Sequence, residues 1–530
     1  MTSPFTVRHL KFLLLATWLS VVVAVVTRHE FWRDEVRGLT IAIDASSIGD
    51  LMHEGQPMLW HLLLAGAWHL AHSVLVLPIV SVLIAAAAVA LMLAKGPFPL
   101  WAKALFIFGL PAYEYSVMAR NYGISMLLLF AFTALYPSRA RHPLVLGVLL
   151  ALLSNTNVHS AMFVGLLLGI WLRDEWTAGH LDPRSREWKM FCAAALLACA
   201  GVGTALWTSW PAGESLAMRG VTLAPGSVWR AAIALAVDPA HRFRELFPSI
   251  VFFPSVLPYA LAGPLLILAL LGLAARPILA VAGCLALGAL SIFFTVVYPG
   301  DYRHQGLFVV FLVALYWLAA SQSTSFEGRW KQRLFVAGLY AGLPLFLACI
   351  VATTAAKVDD DWANPVSAGR EFGEFLRSRP PYRTAVLLSE PDFLMESMPY
   401  YVDNPIYMAR ERRFGRRVTF SAKVKSALTL SDLMCASWEA QRQTGGPALV
   451  VMGGTVARNG LPWETGRRSP VDTSYGRTFA WSDAEVLLWN RHATLLAHLG
   501  ANVTASDEHY FVYAVTGPAA EEQRQCSVSG

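Results

Sequence analysis

Charge is scarce in this sequence. Only 15% of its 530 residues are Asp, Glu, Lys or Arg, and 55% are hydrophobic. Soluble domains carry roughly a quarter charged residues, which excludes a single soluble globular domain and leaves a polytopic membrane protein. Zinc-protease spacing of the HExxH kind is absent, although His53, Glu54, His61, His69 and His72 crowd one stretch. A resident metal site is therefore not favoured. A dinucleotide fingerprint is missing too, since Gly453-Gly454 lacks the glycine spacing and the following acid. No internal repeat and no low-complexity tract occurs. The +6 charge balance suits cytoplasmic loops and carries no nucleic-acid signal. Of six cysteines, Cys192, Cys199, Cys284 and Cys349 lie inside apolar runs as small core residues. Cys435 and Cys526 lie in the tail and would be able to pair if that tail is extracytoplasmic.

What is present is a succession of apolar runs that ends near Thr354, after which charged and turn-forming residues return. Two domains follow: 1–357 in the membrane and 358–530 soluble. The first run, Leu10 to Val26, has Arg8 and Lys11 near its start and no small-residue cleavage site, so it reads as a retained span with a cytoplasmic N-terminus. Further candidate spans are 76–94, 100–114, 121–136, 144–158, 159–172, 190–208, 256–274, 277–297, 306–320 and 334–354, about eleven in all. With that count the basic connections, such as Arg139/Arg141 and Arg329/Lys331/Arg333, share the cytoplasmic side. The count requires that run 57–75, with its three histidines, lie along the interface rather than cross. The segments 28–75, 112–121, 209–255 and 298–305 and the C-terminal domain then face outward. That domain reads as α/β: strands at Arg383 to Leu388 and Ala448 to Met452, helices at Asn364 to Leu376 and Ser431 to Arg442.

The outward segments hold the chemistry. Asp34 and Glu35 stand directly beyond the first span, between Arg33 and Arg37. At a low-dielectric boundary one carboxylate of such a pair can stay ionised beside an Arg and accept a proton from an attacking hydroxyl or amine. The bland reading is a stop-transfer boundary. PAYEYSVMARNYG, residues 111–123, supplies Glu114, Arg120 and Tyr122, and YPGDYRHQG, residues 298–306, supplies Tyr302, Arg303 and His304. An Arg beside a His suits a lipid phosphate, with a plain headgroup contact as its alternative. His159 lies between two apolar runs on the same face.

An acidic pair after the first span, a turn opening an interfacial helix, and an outer loop ending in Ala-Arg-x-Tyr resemble the GT-C glycosyltransferases. The nearest branch is that of the protein O-mannosyltransferases and aminoarabinose transferases, which use polyprenyl-phosphate sugars. Asp34-Glu35, Gly55-Gln56-Pro57, Glu114 with Ala119-Arg120-Asn121-Tyr122, and His159 carry the resemblance, over roughly residues 10 to 350. Gln56-Pro57-Met58 stands where the pattern has His-Pro-Pro. The resemblance implies an inverting transfer with little or no metal dependence, with Asp34 as base, Glu35 as its partner or acceptor-positioning group and Glu114 as a second acidic contact. Arg303 and His304 for the phosphate rest on their chemistry, not on the motif. The expected protein is thus a GT-C-like inner-membrane glycosyltransferase, a hexosyl- or pentosyltransferase. It would have juxtamembrane helices in its first outer loop, a periplasmic α/β domain and an extracytoplasmic acceptor, and no certain cofactor. A flippase for a lipid-linked substrate and a non-catalytic scaffold are the rival readings.

Overall fold

The computed structural model describes residues 4–210, 225–238, 259–321, 328–460, 468–474, 476–503, 506–520, 522 and 526. Most of the segment 209–255 therefore lies outside the described residues. Two compact units emerge. The membrane unit takes the residues up to Thr27, Ser47–Trp210, and those after 224 up to Val358. The C-terminal unit takes Arg28–Ser46 together with the described residues from Asp359 onward.

The membrane unit is helical because a bilayer leaves no water for unpaired backbone groups. Among the described residues six helices are long and apolar enough to cross: α1 (Thr6–Val26), Val76–Lys95, Arg186–Ser209, Pro277–Val296, Tyr302–Ser321 and Arg329–Ala363. The chain is a multi-pass membrane protein. Exposed apolar side chains such as Phe12, Leu83, Leu196 and Leu285 form its outer surface. Tyr302–Ser321 is instead buried almost throughout, with Phe311 stacked on Phe163 at 4.4 Å, and forms the central helix. Shorter apolar helices include Leu59–Ala71, Tyr122–Ser138, Pro143–Ser154 and Pro264–Leu273.

Two elements differ from the sequence reading, while the run 57–75 agrees with it. The run 100–114 is not one helix: Leu100–Ile107 stops, and a 3-10 turn at Leu110–Ala112 follows. Gly109 and Pro111 interrupt it, as neither residue favours a helix interior. Within 57–75 the helix covers only Leu59–Ala71, about 20 Å at 1.5 Å per residue and short of the roughly 30 Å hydrocarbon layer. A further apolar helix, Pro225–Val237, occupies part of the segment read as an outer loop.

The C-terminal unit is α/β. Strands β1 (Val386–Glu390) and β2 (Ala448–Met452) pair in parallel. Antiparallel β4 (Tyr510–Val515) and β3 (Ala493–Leu499) complete the order β1-β2-β4-β3. Both faces of β1 and β2 are buried, which explains the apolar run of Ala448–Met452 and of Val386 to Leu388. The predicted helices appear at Gly369–Ser378 and Leu430–Thr444. Thr429 caps the second, accepting from the Asp432 N–H. Cys435 and Cys526 are joined in a disulfide, with Cα atoms 5.4 Å apart.

Candidate active site

The sequence-derived residues fall into two sets. Asp34 and Glu35 belong to the C-terminal unit, whereas Gln56, Glu114, Arg120, Tyr122, His159, Tyr302, Arg303 and His304 belong to the membrane unit.

Asp34 and Glu35 sit in the first turn of helix α2, Arg33–Asp44. Successive helix residues point about 100° apart, so the two carboxylates face different surroundings. Glu35 turns inward and is fully buried with Val36, Leu39, Thr40 and Ala42, the face that packs on the 3-10 segment Asp392–Tyr400. Its Oε2 lies 3.1 Å from His29 Nε2 and accepts the Trp32 N–H at 3.3 Å. His29 Nδ1 meets Asp361 Oδ2 at 2.9 Å. Burial alone would lower the His29 pKa, but Glu35 and Asp361 outweigh it and raise it to about 10. Asp34 remains partly exposed.

The flanking arginines are held by acids that the sequence reading did not single out. The Arg33 guanidinium bonds to Asp507, lies 3.8 Å from Glu508 and covers the Phe393 ring at 4.3 Å. Glu508 also accepts the Arg33 backbone N–H at 2.9 Å, capping α2. Burial pushes Glu508 up to about 7, against the pull of Arg33. Arg37 bonds to Glu396, another carboxyl raised by burial, and to the Val418 carbonyl at 3.2 Å. These partners are hundreds of residues away in sequence, so periodicity offers no signal for them.

In the membrane unit a second cluster forms at the start of the Tyr302–Ser321 helix. His304 Nδ1 accepts the Asp301 N–H at 3.0 Å, which leaves the Nε2 edge to carry the proton of the neutral ring. The His159 ring lies 5.3 Å from that of His304, and its Nε2 is 3.2 Å from the Tyr298 hydroxyl. His159 Nδ1 is buried and has no partner among the described residues. Tyr122 meets His304 edge-on at 5.5 Å. The charges of Arg120 and Arg303 both act on His304 and Tyr298. Arg303 also pairs with Asp301 at 3.0 Å, and its carbonyl accepts from the Tyr115 hydroxyl at 2.8 Å.

Nearby, buried Glu114 lies 3.6 Å from Lys357, whose ammonium stands 5.1 Å over the Tyr302 ring. Gln56 Oε1 is 3.4 Å from Asn121 Nδ2, which also donates to the Thr156 carbonyl at 2.7 Å. The turn before Tyr122 requires Gly123, because a Cβ there would sit 2.7 Å from the Tyr115 carbonyl oxygen. Lys357 and Tyr298 had not been singled out. Tyr298 opens the YPGDYRHQG run, whereas Lys357 gave no local signal. Two buried imidazoles and a phenol, with the charges of two guanidiniums acting on them, are groups suited to an anion. No group of three His, Cys, Asp or Glu side chains placed to hold a metal occurs among the described residues.

No family model and no curated protein matches this chain. Among solved structures it is similar to the crystal structure of ArnT from Cupriavidus metallidurans in the apo state. The match spans 96% of this chain and 99% of that one, at 11% identity and a TM-score of 0.43.

Proposed function

We propose that this protein is an inverting glycosyltransferase of the GT-C kind, moving a hexose or pentose from a polyprenyl-phosphate carrier to an extracytoplasmic acceptor. The observation that carries the reading is the cluster of buried His159 and His304 with Tyr298, on which the charges of Arg120 and Arg303 act. The buried His159 Nδ1, without a partner among the described residues, in a cluster whose His304 and Tyr298 feel two guanidiniums, suits an anion that arrives on a lipid.

In this scheme Asp34 takes the proton from the acceptor hydroxyl as its oxygen attacks the anomeric carbon. The bond from that carbon to the phosphate oxygen breaks, and Arg303 and Arg120 are the membrane unit's candidates for stabilising the negative charge that develops on the phosphate. His159, His304 and Tyr302 line the donor side. Gln56, Glu114 and Tyr122 shape the contacts to the sugar, and Glu35 supports α2 from behind. A divalent metal has no step in this scheme. Location in an inner or plasma membrane, N-terminus cytoplasmic and C-terminal domain periplasmic, is supported by the one-sided basic loops and by the Cys435–Cys526 disulfide, a bond of oxidising compartments.

The test is transfer from a radiolabelled polyprenyl-phosphate sugar by purified protein in lipid nanodiscs. Asp34→Asn is expected to lower kcat by about a hundred- to ten-thousandfold, the range for a lost general base, with the protein still folded. Full activity in that variant would remove Asp34 from the reaction. No turnover by the wild type with any lipid-phosphate sugar would remove the reaction itself.

A further inference from the structure

One buried cluster has no role in the transfer step: His29 with its two carboxylates. Each ring nitrogen of His29 faces a carboxylate oxygen, Nε2 to Glu35 at 3.1 Å and Nδ1 to Asp361 at 2.9 Å. A neutral imidazole has one N–H and can satisfy only one of them, so this geometry calls for the doubly protonated ring. All three side chains are essentially excluded from solvent. The carboxylates approach opposite edges of the ring and share no common centre, which rules out chelation of a metal by the three.

The cluster joins three pieces of chain. His29 lies in the link between the first span and α2, Glu35 in the first turn of α2, and Asp361 near the end of the helix Leu343–Ala363. The same link is held from outside. The Arg370 guanidinium donates to the His29 carbonyl at 2.7 Å, and Arg28 stacks over Trp362 at 4.9 Å. At the tip of α2 the Glu35 and Glu508 carboxylates accept the Trp32 and Arg33 N–H groups, two of the four donors a helix start leaves unpaired. The ties to Trp32, Arg33 and Glu35 grip residues within two positions of Asp34, and those to Arg28 and His29 hold the link that leads into them.

We propose that His29 is a positioning residue: its imidazolium, held between Glu35 and Asp361, locks the first turn of α2 and so holds the Asp34 carboxylate in one orientation. The proposal rests on the reading of Asp34 as the base. Fixing a reacting group within a fraction of an ångström is worth orders of magnitude in rate, which is reason enough to spend a buried charge cluster on it.

The experiment uses the full chain in nanodiscs and separates the two readings. Hydrogen exchange at residues 33–37 is compared between wild type and His29→Gln, and kcat and KM for donor are measured on the folded fraction. The expected result is exchange faster by about ten- to hundredfold at those amides, the scale of one charge-assisted hydrogen bond, with kcat falling and donor KM unchanged. A purely structural residue would lower the folded amount without that split. Unchanged exchange overturns the lock, and faster exchange with unchanged kcat overturns the positioning role. Should His29→Gln fail to fold, Asp361→Asn, which keeps the tie to Glu35, meets the same criteria with a smaller change. Activity of Asp34→Asn is scored separately: if it stays high while His29→Gln frees α2, the base reading fails and the lock stands.

Discussion

At the scale of single residues, burial and pairing decide which groups can react. Glu35 and Asp34 are neighbours in sequence, yet one is tied to an imidazole in the interior and the other is partly exposed. His29 gives a pH signature. Its pKa rises from 6.5 to about 10 on folding, so its pairing contributes stability that is complete below about pH 6.5 and is lost as pH rises towards 10. The groups acting there are Glu35 on α2, Asp361 on the helix Leu343–Ala363, Glu30 and Arg370 beside the link, and Tyr400, which faces Glu35. The melting-temperature gap between wild type and His29→Gln is therefore expected to be constant below pH 6.5 and to narrow above it. A gap that stays flat to pH 10 would mean that the ring is neutral. In the membrane unit, His159→Phe keeps an aromatic ring against Phe293 and Phe294 but removes both nitrogens. Stability is expected to fall by about 1 kcal/mol, the worth of the Tyr298 hydrogen bond. Donor KM, read from transfer kinetics, is expected to rise about tenfold or more.

At the scale of elements, α2 is a helix of the C-terminal unit even though it follows the first span in sequence. Its sequence shows why: Val36, Leu39 and Thr40 recur at helical spacing and give it one apolar face, which is buried. Leu39 is fully buried, so Leu39→Ala is expected to cost about 2–4 kcal/mol in chemical denaturation. The same variant should raise exchange along the whole of α2, whereas His29→Gln raises it only at the first turn. Helix crossings in the membrane unit depend on glycine instead. A Cβ on Gly338 would lie 2.4 Å from the Gly272 Cα, so these backbones meet as small-residue interfaces do in bilayers. Gly338→Val is expected to prevent stable folding in nanodiscs, visible as loss of a cooperative melt, because neither backbone can retreat as a flexible side chain would. A π-helical turn at Gly338–Gly342 occurs at this crossing.

At the scale of the whole molecule, the disulfide bears on both stability and location. It closes a loop of 91 residues in sequence, and chain entropy assigns such a link about 4–5 kcal/mol. Cys435→Ser is expected to cost about that much in the C-terminal unit, and protein made in an oxidising compartment should shift on a gel when reduced. A domain whose thiols are found free in its native compartment would contradict the extracytoplasmic placement. The apolar runs, their approximate ends, the return of polar sequence after Thr354 and the strand Ala448–Met452 were legible from the sequence because period and composition are local properties. So was the acidic pair beyond the first span. Three things were not. Breaking of the run 100–114 turns on one Gly and one Pro among apolar residues, a weak signal beside the hydropathy of the whole. The division of labour between Asp34 and Glu35 depends on what each helix face meets. The partners of α2 (His29 with Asp361, Arg33 with Asp507 and Glu508, Arg37 with Glu396) come from the far end of the chain. The sequence by itself determined a membrane region, a soluble α/β domain and the residue types available for transfer chemistry. Only the tertiary structure decided which of those charges are spent on each other, because pairing depends on distance and burial, and neither is written in the order of the residues.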